Sequence, residues 1–135
     1  MHEPNAKITD EQREAALALL RSFDSQVMRE AAEGGAKTGF AQEIGPIAFE
    51  NVFARLWTRP GLDKRARSLL TLGILIGLRS EDELQIHMMI ALANGLTMQE
   101  LEEVIYHASG YAGFPAANSA RRAAVTAFRK EGLID

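Results

Sequence analysis

The sequence predicts an all-α domain, and three observations carry that prediction. Apolar residues recur at three- and four-residue spacing, no stretch alternates as a half-buried strand would, and capping signals fall where the apolar stripes break. With 135 residues, 47% of them hydrophobic, there is material for one compact core. Residues 1–8 are polar and are expected to fray, leaving residues 9–135 as a single helical domain.

Six helices are expected, joined by short turns. Thr9 and Gln12 fit a capping box, in which side chains satisfy the free amides of a helix start. The first helix then carries Ala15, Leu19, Phe23, Val27 and Met28 and fades near Gly34-Gly35. Residues 34–45 hold four glycines and read as a loop. Pro46 suits the first turn of a second helix, which directs Ile47, Val52, Phe53, Leu56 and Trp57 towards a core. Thr58-Arg59-Pro60-Gly61 is a turn signature, and Asp63 is an N-cap for the third helix. That helix is apolar on every side from Leu69 to Leu78, so it is expected at the centre. Gly73 and Gly77 on one of its faces would let another helix backbone come close.

Ser80 and Glu83 read as a capping box for the fourth helix, which Asn94-Gly95 closes. Thr97 and Glu100 read as a third box, opening a helix with Leu101, Val104, Ile105, Ala108 and Ala112 on one stripe. Gly113-Phe114-Pro115 breaks it, and Pro115 starts a last helix that runs to about Glu131.

Composition narrows the function. Fifteen Lys and Arg stand against 18 Asp and Glu, so the basic excess of a general nucleic-acid binder is missing. Zero cysteines exclude disulfides, thiolate metal sites and thiol redox cycles. The longest nearly apolar run, Leu69 to Leu78, is half of the roughly 20 residues a membrane helix needs. The Met-His-Glu-Pro-Asn start has no secretory pattern, so a soluble, cytoplasmic protein without membrane or nucleic-acid partners is expected.

The fourth helix holds the candidate chemistry. At about 100° per residue, Glu83, His87, Ile90 and Asn94 share one face, and residues 86–93 are otherwise apolar. Glu83 and His87 stand at i and i+4, close enough to share a proton. A carboxylate and an imidazole in a dry site shift each other's pKa, which is how proton donors are tuned near neutral pH. Other readings stay open. Glu83 is also explained by the Ser80 capping box, His87 by a carbonyl partner in the core, and the two with His107 by a metal. Arg59, Lys64, Arg65 and Arg67 cluster where a helix dipole disfavours cations, either as a solvated helix start or as an anion site for carboxylates. Arg121 and Arg122 read as surface charges.

Three linked motifs resemble the carboxymuconolactone decarboxylase family. They are Leu56-Trp57-Thr58-Arg59-Pro60-Gly61-Leu62-Asp63 with Arg65 and Arg67-Ser68-Leu69, then Glu81 through Gly95 with a Glu-Leu-x-x-His core, then His107 through Asn118. The resemblance covers about residues 50–128. It implies an alkylhydroperoxidase D-like helical fold assembled as homotrimers or homohexamers with sites at subunit boundaries. Peroxidases of that superfamily use a Cys-x-x-Cys pair before the histidine. Matched on His87, those positions are Ser80 and Glu83, so a thiol peroxidase is excluded. Between Glu43 and Leu56 the chain departs from the lactone decarboxylases, which tend to carry a Trp-Gly pair there.

The resemblance implies a cofactor-independent decarboxylase of a small carboxylated lactone such as 4-carboxymuconolactone, an activity of aromatic-acid breakdown. The conjugated lactone is its own electron sink, so the protein need supply only cationic anchors, a dry site and a proton donor. Arg59 and Arg67 are the expected anchors, His87 the proton donor, Glu83 its tuning partner, and Trp57, Tyr111 and His107 the pocket walls. The alternatives are a non-enzymatic oligomer that binds a small acidic metabolite, and a related lactone-handling enzyme.

Overall fold

The computed structural model describes residues 7–36 and 38–135, so residues 1–6 of the stretch expected to fray lie outside the described part. The described residues form seven α-helices and no strand. They are α1 (Asp10–Ser22), α2 (Gln26–Ala36), α3 (Ile44–Ala48), α4 (Lys64–Leu78), α5 (Glu81–Ala93), α6 (Met98–Ala112) and α7 (Phe114–Lys130). A π-helical stretch, Phe49–Trp57, continues α3 without a break.

The seventh helix arises because the first expected helix is two. Phe23 N–H turns back to the Leu20 carbonyl (3.1 Å), and the Ser25 hydroxyl accepts from Met28 N–H (3.1 Å) to start α2. From the far end of the chain, Glu131 accepts the Val27 amide at 2.9 Å. Phe23 and Val27 stay buried across the break, so apolar spacing alone runs straight through it.

α4, α5, α6 and α7 make the main bundle, with α2 against α5 and α7. α7 is lined with small residues: Ala116, Ala117, Ala120, Ala123, Ala124 and Ala127 are all buried, which lets its neighbours come close. α1 packs on the π-helical stretch, and there a second, smaller core joins Leu19, Phe23, Trp57 and Ile90.

Two expectations about burial fail for physical reasons. Of the five core residues expected in the second helix, only Trp57 is buried and Phe53 partly so, while Ile47, Val52 and Leu56 are exposed. The i→i+5 winding of a π-helix re-phases its stripe, so positions chosen at 3.6-residue spacing miss the contact face. α4 is not central on all sides either. Ser68, Leu72 and Ile76 are buried against the bundle, but Ile74 is 54% and Leu78 69% exposed. Among the described residues, no atom outside α4's own neighbouring backbone lies within 4 Å of where a Cβ on Gly73 or Gly77 would sit, so no described helix uses their close approach.

The caps divide likewise. The boxes at Thr9 and Thr97 form as expected, and Asp63 caps α4 through Ala66 N–H. The Ser80–Glu83 box does not form. Instead α4 ends with Arg79 in the left-handed region (φ 54°), its N–H on the Ile76 carbonyl and that of Ser80 on the Leu75 carbonyl. This closure holds Ser80 at ψ 78°, and its side chain makes no capping hydrogen bond. Thr97→Ala is therefore expected to cost about 1 kcal/mol in urea unfolding, and Ser80→Ala a few tenths at most.

Candidate active site

The site begins where the π-helical stretch ends. Trp57 is 7% exposed, with its ring edge-on to Phe23 (centroids 5.9 Å, 72°) and stacked over His87 of α5 (6.5 Å, 20°). Leu84, Met88, Ile90 and Ala91 of α5 are buried around the His87 position. His87 Nδ1 is itself buried and has no hydrogen-bond partner among the described residues. Burial pushes the imidazole pKa down from 6.5 to about 4, because charging the ring in that place forfeits its hydration. At neutral pH the ring is uncharged.

Glu83 is exposed, and no hydrogen bond or ion pair joins it to His87. It borders a separate hollow of about 400 Å³ with Glu30, Asp82 and Lys130. The missing capping box leaves its carboxylate unused by the helix start.

On another side of Trp57 lies a cavity of about 480 Å³, bordered by Thr58, Arg59, Pro60, Leu62, Asp63 and Lys64 and by Leu19 of α1. Arg59 and Lys64 have no acidic partner among the described residues, so two cations stand at a partly apolar hollow. Of the other cations expected in this cluster, Arg65 pairs with Glu100. Arg67 is turned back onto the loop, its Nε donating to the Leu62 carbonyl (3.0 Å) and its Nη2 to the Arg59 carbonyl (2.9 Å).

His107 and Tyr111 lie elsewhere. Their rings meet at 5.1 Å on the exposed side of α6 and border a hollow of about 770 Å³ with Leu69, Gly73, Glu103 and Val104. The expected site residues thus fall into three groups. Trp57 touches His87 and shares a cavity with Arg59; Glu83 faces a second hollow; His107 and Tyr111 face a third. His87, Glu83 and His107 do not converge, and among the described residues no three His, Asp or Glu side chains are grouped as a metal would require. Sequence reasoning missed Ser68, which is buried and accepts from Asn94 Nδ2 at 3.0 Å, on the α5 face that carries His87. Its place among leucines on α4 was the available signal.

The model of the carboxymuconolactone decarboxylase family matches residues 47–126, more than half of the chain. The chain belongs to that family. Among curated relatives, a 4-carboxymuconolactone decarboxylase of Acinetobacter baylyi is 42% identical over 94 residues, 70% of each chain. A nitrosuccinic acid decarboxylase of Metarhizium robertsii is 41% identical over 78 residues, 58% of this chain and 54% of the relative. An uncharacterized 15.0 kDa protein of Paracoccus denitrificans is 35% identical over 81 residues, 58% of this chain and 60% of the relative. The family and the two decarboxylases make the chain a carboxy-lyase by class. The matched region contains Trp57, Arg59, Glu83, His87, His107 and Tyr111. No helix among the described residues is long and apolar enough to cross a membrane.

The depressed His87 pKa sets a pH dependence. An unfolded histidine protonates below about 6.5 and the buried one only below about 4, so stability is unaffected above that window and falls as pH drops through it. By pH 5 the loss is about 2 kcal/mol relative to pH 7. Urea midpoints at the two pH values should therefore show a smaller pH-dependent loss in His87→Gln than in the wild-type protein.

Proposed function

We propose that this protein is a cofactor-independent decarboxylase of a small carboxylated lactone such as 4-carboxymuconolactone. The observation that carries the reading is the His87 ring stacked on Trp57, whose own side chain borders the cavity that presents Arg59 and Lys64. In the proposed reaction, the two cations hold the substrate's carboxylates against the Trp57 wall. The bond from the γ carbon to the departing carboxylate breaks, and CO2 leaves. Its electron pair passes through the conjugated system to the lactone carbonyl, giving a dienolate. A proton then adds to carbon and gives the enol-lactone.

His87 supplies that proton in this scheme. His87 does not border that cavity, so the scheme requires the Trp57 ring to shift and admit the substrate. An anion then beside the imidazole raises its pKa, and the ring charges as substrate enters and gives the proton up once CO2 has gone. Glu83, one helical turn earlier, is the group assigned to pass a proton from solvent after its side chain swings towards the ring. His87→Gln should lower kcat about 100-fold or more, whereas Arg59→Ala should mainly raise KM. Loss of the lactone's ultraviolet absorbance measures both, and wild-type turnover by His87→Gln would refute the role given to the imidazole.

Binding without turnover is the second reading. It is favoured by one observation, that His87 borders none of the three hollows holding the other candidates. Flat absorbance traces at high protein concentration, with tight binding of the lactone, would establish it.

The proposal includes self-assembly, as a homotrimer or homohexamer in the cytoplasm. The exposed face of α4 (Leu70, Ile74, Leu78) and the neighbouring Tyr111 (86% exposed) and Phe114 (73%) supply apolar area that another copy would cover. His107 would then stand at a subunit boundary. Sedimentation should give a trimer or hexamer for the wild-type protein and a smaller species for Ile74→Glu; a wild-type monomer at micromolar concentration contradicts the assembly.

A further inference from the structure

The turn that carries Arg59 is tied down by a side chain from the following helix. Thr58 Oγ1 donates to the Ala54 carbonyl (2.6 Å) and Arg59 N–H to the Leu56 carbonyl (3.1 Å), which fixes the entry to the turn. At the exit, the Asp63 carboxylate accepts from Ala66 N–H (2.7 Å). Between these two points the ties are those from Arg67: Nε to the Leu62 carbonyl and Nη2 to the Arg59 carbonyl. Pro60 and Gly61 lie inside the span that the guanidinium closes.

We propose that Arg67 is a positioning residue, whose guanidinium fork fixes the 59–62 turn so that Arg59 faces the cavity bordered by Trp57. This rests on the decarboxylase reading and differs from the anchoring role expected for Arg67. Its chemistry suits the task. A planar guanidinium spans two carbonyl oxygens at once, whereas a Lys ammonium is a single point donor on a flexible stem. The geometry also accounts for a cation in the first turns of a helix, where the dipole disfavours it, since the charge is met by two carbonyl dipoles of the turn. Arg67 is not among the residues that border the cavity, whereas Arg59 and Lys64 are.

The test uses Arg67→Lys and Arg67→Met in the full-length protein, and exploits the single tryptophan, Trp57, as a reporter beside the turn. Both variants should lose about tenfold in kcat/KM for 4-carboxymuconolactone, chiefly through KM, with Lys hardly better than Met. Acrylamide quenching of Trp57 should rise in both. Arg59→Ala combined with Arg67→Lys should cost no more than Arg59→Ala alone, because the second change acts through the first residue. Should Arg67→Met fail to fold, the Lys variant, which keeps the charge, carries the test. Wild-type kcat/KM in Arg67→Lys, unchanged Trp57 quenching, or additive losses in the double variant would each overturn the proposal. A wild-type protein that leaves the lactone intact refutes the decarboxylase reading instead, and the quenching, which needs no substrate, still decides whether Arg67 holds the turn.

Discussion

The contact between one imidazole and one indole is the structural feature on which the proposed chemistry depends. His87 is fixed to a helix whose neighbouring positions are buried in the bundle, and Trp57 lies over its ring. The unpartnered Nδ1 carries a desolvation cost of roughly 1–3 kcal/mol, which a carbonyl or carboxylate in reach would have removed. A neutral ring held this way is a poor resting acid. It is well prepared to respond to an arriving anion, because the same low polarity that suppresses its charge strengthens its attraction to a nearby carboxylate.

The rest of the architecture serves that contact. The alanines of α7 bring α5 close on one side, so that α5 is held as part of a rigid bundle. The smaller core of Leu19, Phe23, Trp57 and Ile90 attaches α1 and the π-helical stretch to the same helix. Trp57 is the last residue of that stretch, and the change of winding there lets its ring turn inward while Leu56 beside it points out. The cavity that Trp57 borders takes in Thr58 and Arg59, so the backbone that buries the indole also delivers Arg59 to the hollow.

Much of this was legible in the sequence because it is local. The Thr9 and Thr97 boxes and the Asp63 cap are short-range hydrogen-bonding patterns, the Gly113–Pro115 break rests on the positive φ of Gly113 (92°) and a proline in the first turn of α7, and all form where the spacing put them. What the sequence hid depends on partners far away in the chain or on how a preceding helix closes. The break between α1 and α2 is supported by Glu131, and the failure of the Ser80 box follows from how α4 closes at Arg79. Burial of α4 was overread because an all-apolar helix looks the same whether its neighbours belong to this chain or to another. For the candidate site, the Trp57–His87 association joins two motifs that the sequence could only place side by side. The missing Glu83–His87 hydrogen bond was illegible, since i, i+4 spacing permits that contact without compelling it.

The state of the His87 ring is open to direct measurement. With 15N-labelled histidine, the imidazole nitrogen shifts at pH 7 distinguish the neutral from the protonated ring, in the free protein and when saturated with an unreactive carboxylated lactone analogue. A neutral ring that becomes protonated on saturation is the expected result. A ring already charged in the free protein, or one that stays neutral with the analogue bound, would contradict the proposed use of its burial.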